Sequence, residues 1–148
     1  MPKIFGSSLL GILLASLALY MLGFIWYGIL FEDLWISLSG ISKEAAQTNM
    51  ESMGAMGFVW GIIITLAQVL GLAYILNHAN AARLGTCVKI GAIIATLIAL
   101  PVMAYNVLYG GSSAKLLGLD YAHLLIGYAI ACAILSLFRR RGALASEA

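Results

Sequence analysis

Charge is what this sequence has least of. Asp, Glu, Lys and Arg make up 9% of its 148 residues, against about 25% in soluble domains. So little charge cannot clothe a water-soluble globule. The net charge of +2 also leaves no basic face for nucleic acid. Neither of the two cysteines, Cys87 and Cys132, has a catalytic base beside it, and both read as packing residues. Two histidines, His78 and His123, are too few for a histidine-rich zinc centre. Disorder is excluded from the opposite direction, because 63% of the chain is hydrophobic and such a chain collapses. The mean hydropathy of +1.02 points to an integral membrane protein.

Four long runs carry that hydropathy: residues 4–31, 53–77, 88–109 and 120–138. Each reaches or exceeds the length of about 18 residues expected of a transmembrane helix. Barrel strands would be alternating segments of about 10 residues, which these are not. The expected fold is all-α: a single domain over 1–148, built as a four-transmembrane-helix bundle. The first run is too long for the apolar part of a signal peptide and reads as a helix of the mature chain. Four spans put both termini on one side. Lys3, Arg83, Lys89, Arg139, Arg140 and Arg141 share that side, so the positive-inside rule makes it cytoplasmic. The Arg139–Arg141 run reads as an anchor at the end of the last span.

The outer loop, residues 32–52, is the longest. Ser42 suits an N-cap, with Glu44 favourable in the first turn that follows. An amphipathic helix over 43–53 then runs into the second span. Met50, Met53 and Met56 repeat every third residue. Thioethers suit Cu(I), but no Cys or His adjoins them, and an interfacial helix uses Met equally well. No phosphate loop, nucleophile elbow or zinc-protease motif occurs. No cofactor, metal or catalytic residue is therefore expected, and the chain reads as no enzyme.

Membrane helices associate through small residues at spacings of three and four. Gly57 and Gly61 on the second helix, Gly91 and Ala95 on the third, and Gly127 and Ala131 on the fourth form such stripes. With Trp35 of the outer loop, they are candidates for packing against partners. The third stripe extends along Ala99, Val102, Asn106 and Tyr109 at the same spacing. Pro101 is expected to kink that helix. At the outer ends, Tyr27, Asn106, Asp120 and His123 lie at similar depth. Ionisable residues in a span are a functional-site hypothesis by default. Asp120 and His123, three apart, can share a helix face, so these four are candidates for a ligand or proton site. The plain alternative makes Asp120 a solvated N-cap of the fourth helix.

Trp26-Tyr27, Leu30-Phe31, Trp35 and then Gly40-Ile41-Ser42 with Glu44 form a pattern that resembles the family known as domain of unknown function 1761. The resemblance implies small, mostly bacterial, four-helix membrane proteins, and brings no activity, substrate or cofactor. The chain departs from the pattern at Ile29, where Pro is frequent, at Glu32-Asp33, where Gly-Lys is frequent, and at Asp120-Tyr121-Ala122-His123, which opens the last span differently.

The combined expectation is an accessory or scaffold subunit of the bacterial cytoplasmic membrane, in contact with lipid and packing with itself or a larger complex. The alternatives are a small homo-oligomeric transporter or channel, and a ligand or metal sensor using the outer polar cluster. The topology has a direct check in single-cysteine labelling. A cysteine at Ser113 should react with an impermeant reagent from outside the cell, and one at Ser146 only after permeabilisation. The reverse pattern would overturn it.

Overall fold

A computed structural model describes residues 3–144, with side chains as far as Arg139. Those of Arg140 and Arg141, and Ser146 entirely, lie outside the described part. The chain forms a short hairpin, β1 (Lys3–Ile4) and β2 (Ser7–Ser8), and six helices. These are α1 (Leu9–Ile25), α2 (Glu32–Ser39), α3 (Lys43–His78), α4 (Leu84–Ile94), α5 (Leu100–Leu108) and α6 (Ala114–Leu144). One π-helical turn, Trp26–Leu30, prolongs α1, and another, Ala95–Ala99, joins α4 to α5. Four continuous helical stretches are long and apolar enough to cross a membrane: 9–30, 43–78, 84–108 and 114–139.

Local chemistry sets most boundaries. The first span begins at Leu9 rather than residue 4, because residues 3–8 pair as a hairpin turning at Phe5 and Gly6, both at positive φ. The Ser8 hydroxyl then caps α1 by accepting from Gly11 N at 3.1 Å. The outer loop holds two helices rather than one. Gly40, in the left-handed conformation that glycine adopts without steric cost, ends α2. Ser42 caps α3 as expected, accepting from Ala45 N at 3.1 Å. The amphipathic arm does run into the second span, with a break at Gly54 (φ 49°, ψ −141°). The last helix starts at Ala114, six residues earlier than expected. Ser113 caps it, its hydroxyl accepting from Lys115 N at 3.2 Å. Asp120 is therefore inside a helix and is not its cap.

The bundle is packed tightly at one end and splayed at the other. Ile12, Ala15 and Leu19 of α1 meet Val69, Leu72, Ala73 and Leu76 of α3 in one core. Cys87, Ala95, Tyr128, Ala131, Cys132 and Leu135 complete it. By contrast, no residue of α3 between 47 and 68 is buried, and α5 has no buried residue. The tight end is also the end of the hairpin and the last turns of α3 and α6. There the Arg139 guanidinium donates to Phe5 O at 3.0 Å, Ser7 Oγ at 3.3 Å and Asn77 Oδ1 at 3.3 Å. It is turned inward and ties the hairpin to two helices, so it does more than anchor a span.

The small-residue stripes are used within the chain. A Cβ on Gly91 would lie 2.8 Å from Cys132 Sγ and 2.9 Å from the Tyr128 carbonyl oxygen. One on Gly127 would run into Leu19. Gly91, Ala95, Gly127 and Ala131 are all buried in the chain's own core, so none presents a face to a partner. Gly61 lies under the Tyr20 ring, and Gly57 is next to Met53 of its own helix.

The third stripe fails past Ala95. Val102 is 63% and Tyr109 82% exposed, and Asn106 is exposed as well. The half-buried positions are Met103, Ala104 and Val107. The cause is the π turn, in which Leu100 N bonds to Ala95 O, five residues back. One extra residue in a turn rotates all that follows. Pro101, which lacks an N–H, follows directly, so the irregularity expected at the proline takes the form of a π turn.

If contact at Gly91 holds the tight end, Gly91→Ala should cost about 1–3 kcal/mol, the usual penalty of overpacking. Gly71→Ala, with open space at its Cβ, should change stability little. Thermal unfolding of both variants in the same detergent checks the contrast.

Candidate functional site

The splayed end leaves an open cleft of about 520 Å³ lined by Tyr27, Trp35, Gln68, Met103, Asp120, His123 and Leu124. That volume falls in the ~300–1,000 Å³ range of small-molecule sites. Four elements and one π turn supply its walls. The Trp26–Leu30 turn, closed by Phe31 N donating to Trp26 O at 2.9 Å, carries Tyr27. π turns of this kind recur at functional sites. α2 brings Trp35, α3 brings Gln68, α5 brings Met103, and α6 brings Asp120, His123 and Leu124.

The Tyr27 hydroxyl donates to Asp120 Oδ1 at 2.8 Å across the cleft wall. His123 packs against the same tyrosine, with ring centroids 5.0 Å apart and planes at 60°. Its other neighbours are the Trp26 ring at 6.0 Å and the bare backbone of Gly23, whose added Cβ would lie 3.5 Å from His123 Nε2. Trp35 meets Tyr27 edge-on at 6.2 Å. His123 Nε2 and Trp26 Nε1 are both buried without a hydrogen-bond partner among the described residues. Buried polar atoms are rarely left so; Trp26 is not among the residues that line the cleft, and His123 Nε2 lies on the side of Gly23.

Of the four sequence candidates, Tyr27, Asp120 and His123 come together. Asn106 does not join them. The rotation caused by the second π turn sends its side chain elsewhere, and it lines a smaller neighbouring cavity of about 110 Å³ that also touches Met103 and Asp120. Its backbone carbonyl accepts from Gly110 N at 3.1 Å and Ser112 N at 3.0 Å, closing the turn before α6. Trp35, expected to pack against a partner, lines the cleft. Gln68 and Met103 are members outside the four sequence candidates. Gln68 stands out as the most polar residue mid-span, a signal that was available. Met103 had none, since only the π turn brings it round.

Below the cleft, Thr96 in the second π turn donates to Ala92 O at 2.8 Å and meets the Tyr121 hydroxyl at 2.9 Å. With the threonine proton committed, Tyr121 is the donor. This links the irregular turn to the helix that carries Asp120. The site can hold a small polar or charged molecule between a fixed carboxylate and aromatic walls. Among the described residues, no three His, Cys, Asp or Glu side chains converge as metal ligands would.

Residues 10–136 match the sequence model of a family described as "Protein of unknown function (DUF1761)". No curated protein and no solved structure matches the chain.

The Tyr27–Asp120 bond should show as a coupling energy. In a double-mutant cycle of Tyr27→Phe and Asp120→Asn, unfolding free energies should couple by about 1 kcal/mol, the net worth of one such bond. Zero coupling would mean that the two groups do not depend on each other.

Proposed function

We propose, for a chain that belongs to this DUF1761 family, that it is an integral membrane protein binding a small polar molecule in the cleft at its splayed end. The observation that carries this reading is the Tyr27–Asp120 hydrogen bond, which fixes a carboxylate on the wall of an open cleft. A carboxylate with no task would be solvated at a helix end. This one is six residues inside α6 and held by a phenol from another helix. Four apolar helices carry the bundle across the bilayer. Lys3, Arg83, Lys89 and Arg139 lie toward the tight end, which supports cytoplasmic termini in a bacterial inner membrane. The cleft then opens toward the outside. No enzyme activity is proposed: among the described residues no Ser, Thr, Cys or Lys lines the cleft.

The accessory-subunit reading draws on small-residue stripes, interfacial aromatics and the scarcity of central charge; four of the stripe residues, Gly91, Ala95, Gly127 and Ala131, are occupied within the bundle. Self-assembly or docking in a larger complex is a second reading on a different observation. The α3 segment around Phe58, Val59, Trp60 and Ile62 is at least 44% exposed at each of these positions, so a neighbouring helix has room beside it.

Two measurements check these readings. In a background without Cys87 and Cys132, cysteines placed at Met103 and Gln68 should react with an impermeant thiol reagent from outside. A small-metabolite fraction of the host should slow that reaction unless Tyr27 is changed to Ala. Labelling that ignores every fraction would overturn the binding reading. For assembly, gentle extraction and mass measurement of the intact particle should give more than one chain; a folded monomer with nothing bound to it would dismiss the second reading.

A further inference from the structure

We infer that the cleft takes an ammonium group, carried either by a small soluble amine or by a lipid headgroup. This rests on the reading of the cleft as a binding site and names the chemistry of its occupant. Charge is the first argument. Asp120 is the one charged side chain lining the cleft among the described residues. No Lys or Arg stands in the lining to receive an anion. The ion pair of Lys43 with Asp33 is formed by other, largely exposed side chains. An anionic ligand would therefore meet a carboxylate with nothing to offset it, whereas a cation would meet its complement.

The rings are the second argument. Tyr27 and Trp35 stand 6.2 Å apart at 69°, and His123 adds a third ring 5.0 Å from Tyr27. Two aromatic walls at an angle, with a carboxylate beside them, are what a quaternary or alkylated nitrogen needs. A cation within about 6 Å of a Trp or Tyr face is drawn to the negative face of the ring. Met103 and Leu124 offer soft apolar surface to methyl or methylene groups on that nitrogen. The same wall is poor for a metal ion. Calcium asks for about 6–8 oxygen ligands, and the lining offers one carboxylate, one of whose oxygens already accepts from Tyr27, and the single amide of Gln68.

Position is the third argument. Tyr27 lies in the π turn at the far end of the 9–30 span, and Asp120 lies two turns into the 114–139 span. This is near the depth at which headgroups meet the hydrocarbon, so both sources of an ammonium group can reach it.

The test uses the full chain carrying Trp60→Phe, which removes a tryptophan outside the cleft, in nanodiscs of phosphatidylglycerol. That lipid has no ammonium group. Choline and propylamine are titrated while tryptophan emission is followed, beside the uncharged carbon isostere of choline and propionate. Both ammonium probes should shift the emission saturably; the isostere and propionate should not. Asp120→Asn should weaken choline at least about tenfold. Trp35→Leu, which removes the reporting tryptophan, should weaken choline as well when binding is read by calorimetry, and melting of each variant verifies that it is folded.

A second set of discs containing phosphatidylethanolamine distinguishes the sources. If the headgroup is the occupant, the shifted emission is present before any probe is added. If a soluble amine is the occupant, the titration is the same in both discs. The ammonium assignment is overturned if the isostere or propionate reproduces the shift, or if folded Asp120→Asn and Trp35→Leu both bind choline normally. In either case the cleft remains a binding site of another specificity. Absence of any shift in either disc overturns the assignment, and if thiol labelling in the cleft also ignores every metabolite fraction, the binding reading falls with it.

Discussion

The close approach of α4 to α6 at Gly91 is the contact on which the rest of the structure depends. With only a hydrogen on Gly91, the thiol of Cys132 and the backbone carbonyl of Tyr128 come to within van der Waals distance of the α4 backbone. Ala95 and Ala131, both fully buried, continue the seam. Backbones that approach this closely gain dispersion contact along their whole length, and in lipid that gain is the main force between helices. α1 joins through Gly127, which seats Leu19. The two cysteines are buried parts of this seam. Their sulfurs fill irregular space between helices, as small apolar groups do.

Because the tight seams lie at one end, the other end is free to diverge. Helices that cross at an angle can be in close contact at only one level. Here that level coincides with Ile12 to Leu19 on α1 and Val69 to Leu76 on α3. Beyond it the side chains grow and the backbones separate, and the space between them becomes the cleft. Its polar and aromatic lining is then a consequence of which residues lie past the seam. Arg139 supports the arrangement from below. It joins the hairpin, α3 and α6 through neutral acceptors, Phe5 O, Ser7 Oγ, Ala73 O and Asn77 Oδ1, with no carboxylate among them.

The π turns adapt this geometry to the site. An α-helix continued from Ala95 would have brought Val102 and Asn106 inward; the extra residue in Ala95–Ala99 brings Met103 instead. The turn at Trp26–Leu30 bonds five residues back in the same way, with Tyr27 and Trp26 in it, and places both rings around His123. Each turn is less regular than an α-helix and is sustained by what surrounds it: the Thr96–Tyr121 contact in one case, and the Trp26–Phe31 ring pair at 4.7 Å in the other.

Hydropathy alone determined the helical class, the number of long apolar helices and the grouping of basic residues toward one end, because each depends on composition summed along one segment. Local hydrogen bonding also made the Ser42 cap legible, since a cap involves only residues three apart. Three of the four site candidates, Tyr27, Asp120 and His123, could be listed because ionisable and aromatic groups are conspicuous in apolar sequence. The tertiary structure decided what no single segment contains. It decided that Asp120 is held by Tyr27, 93 positions away, instead of capping a helix. It turned Asn106 out and Met103 in through an irregular turn whose cost is offset only by neighbours. It used Gly91 and Gly127 in the chain's own seams, because which face of a helix meets another is settled by how all the helices pack together.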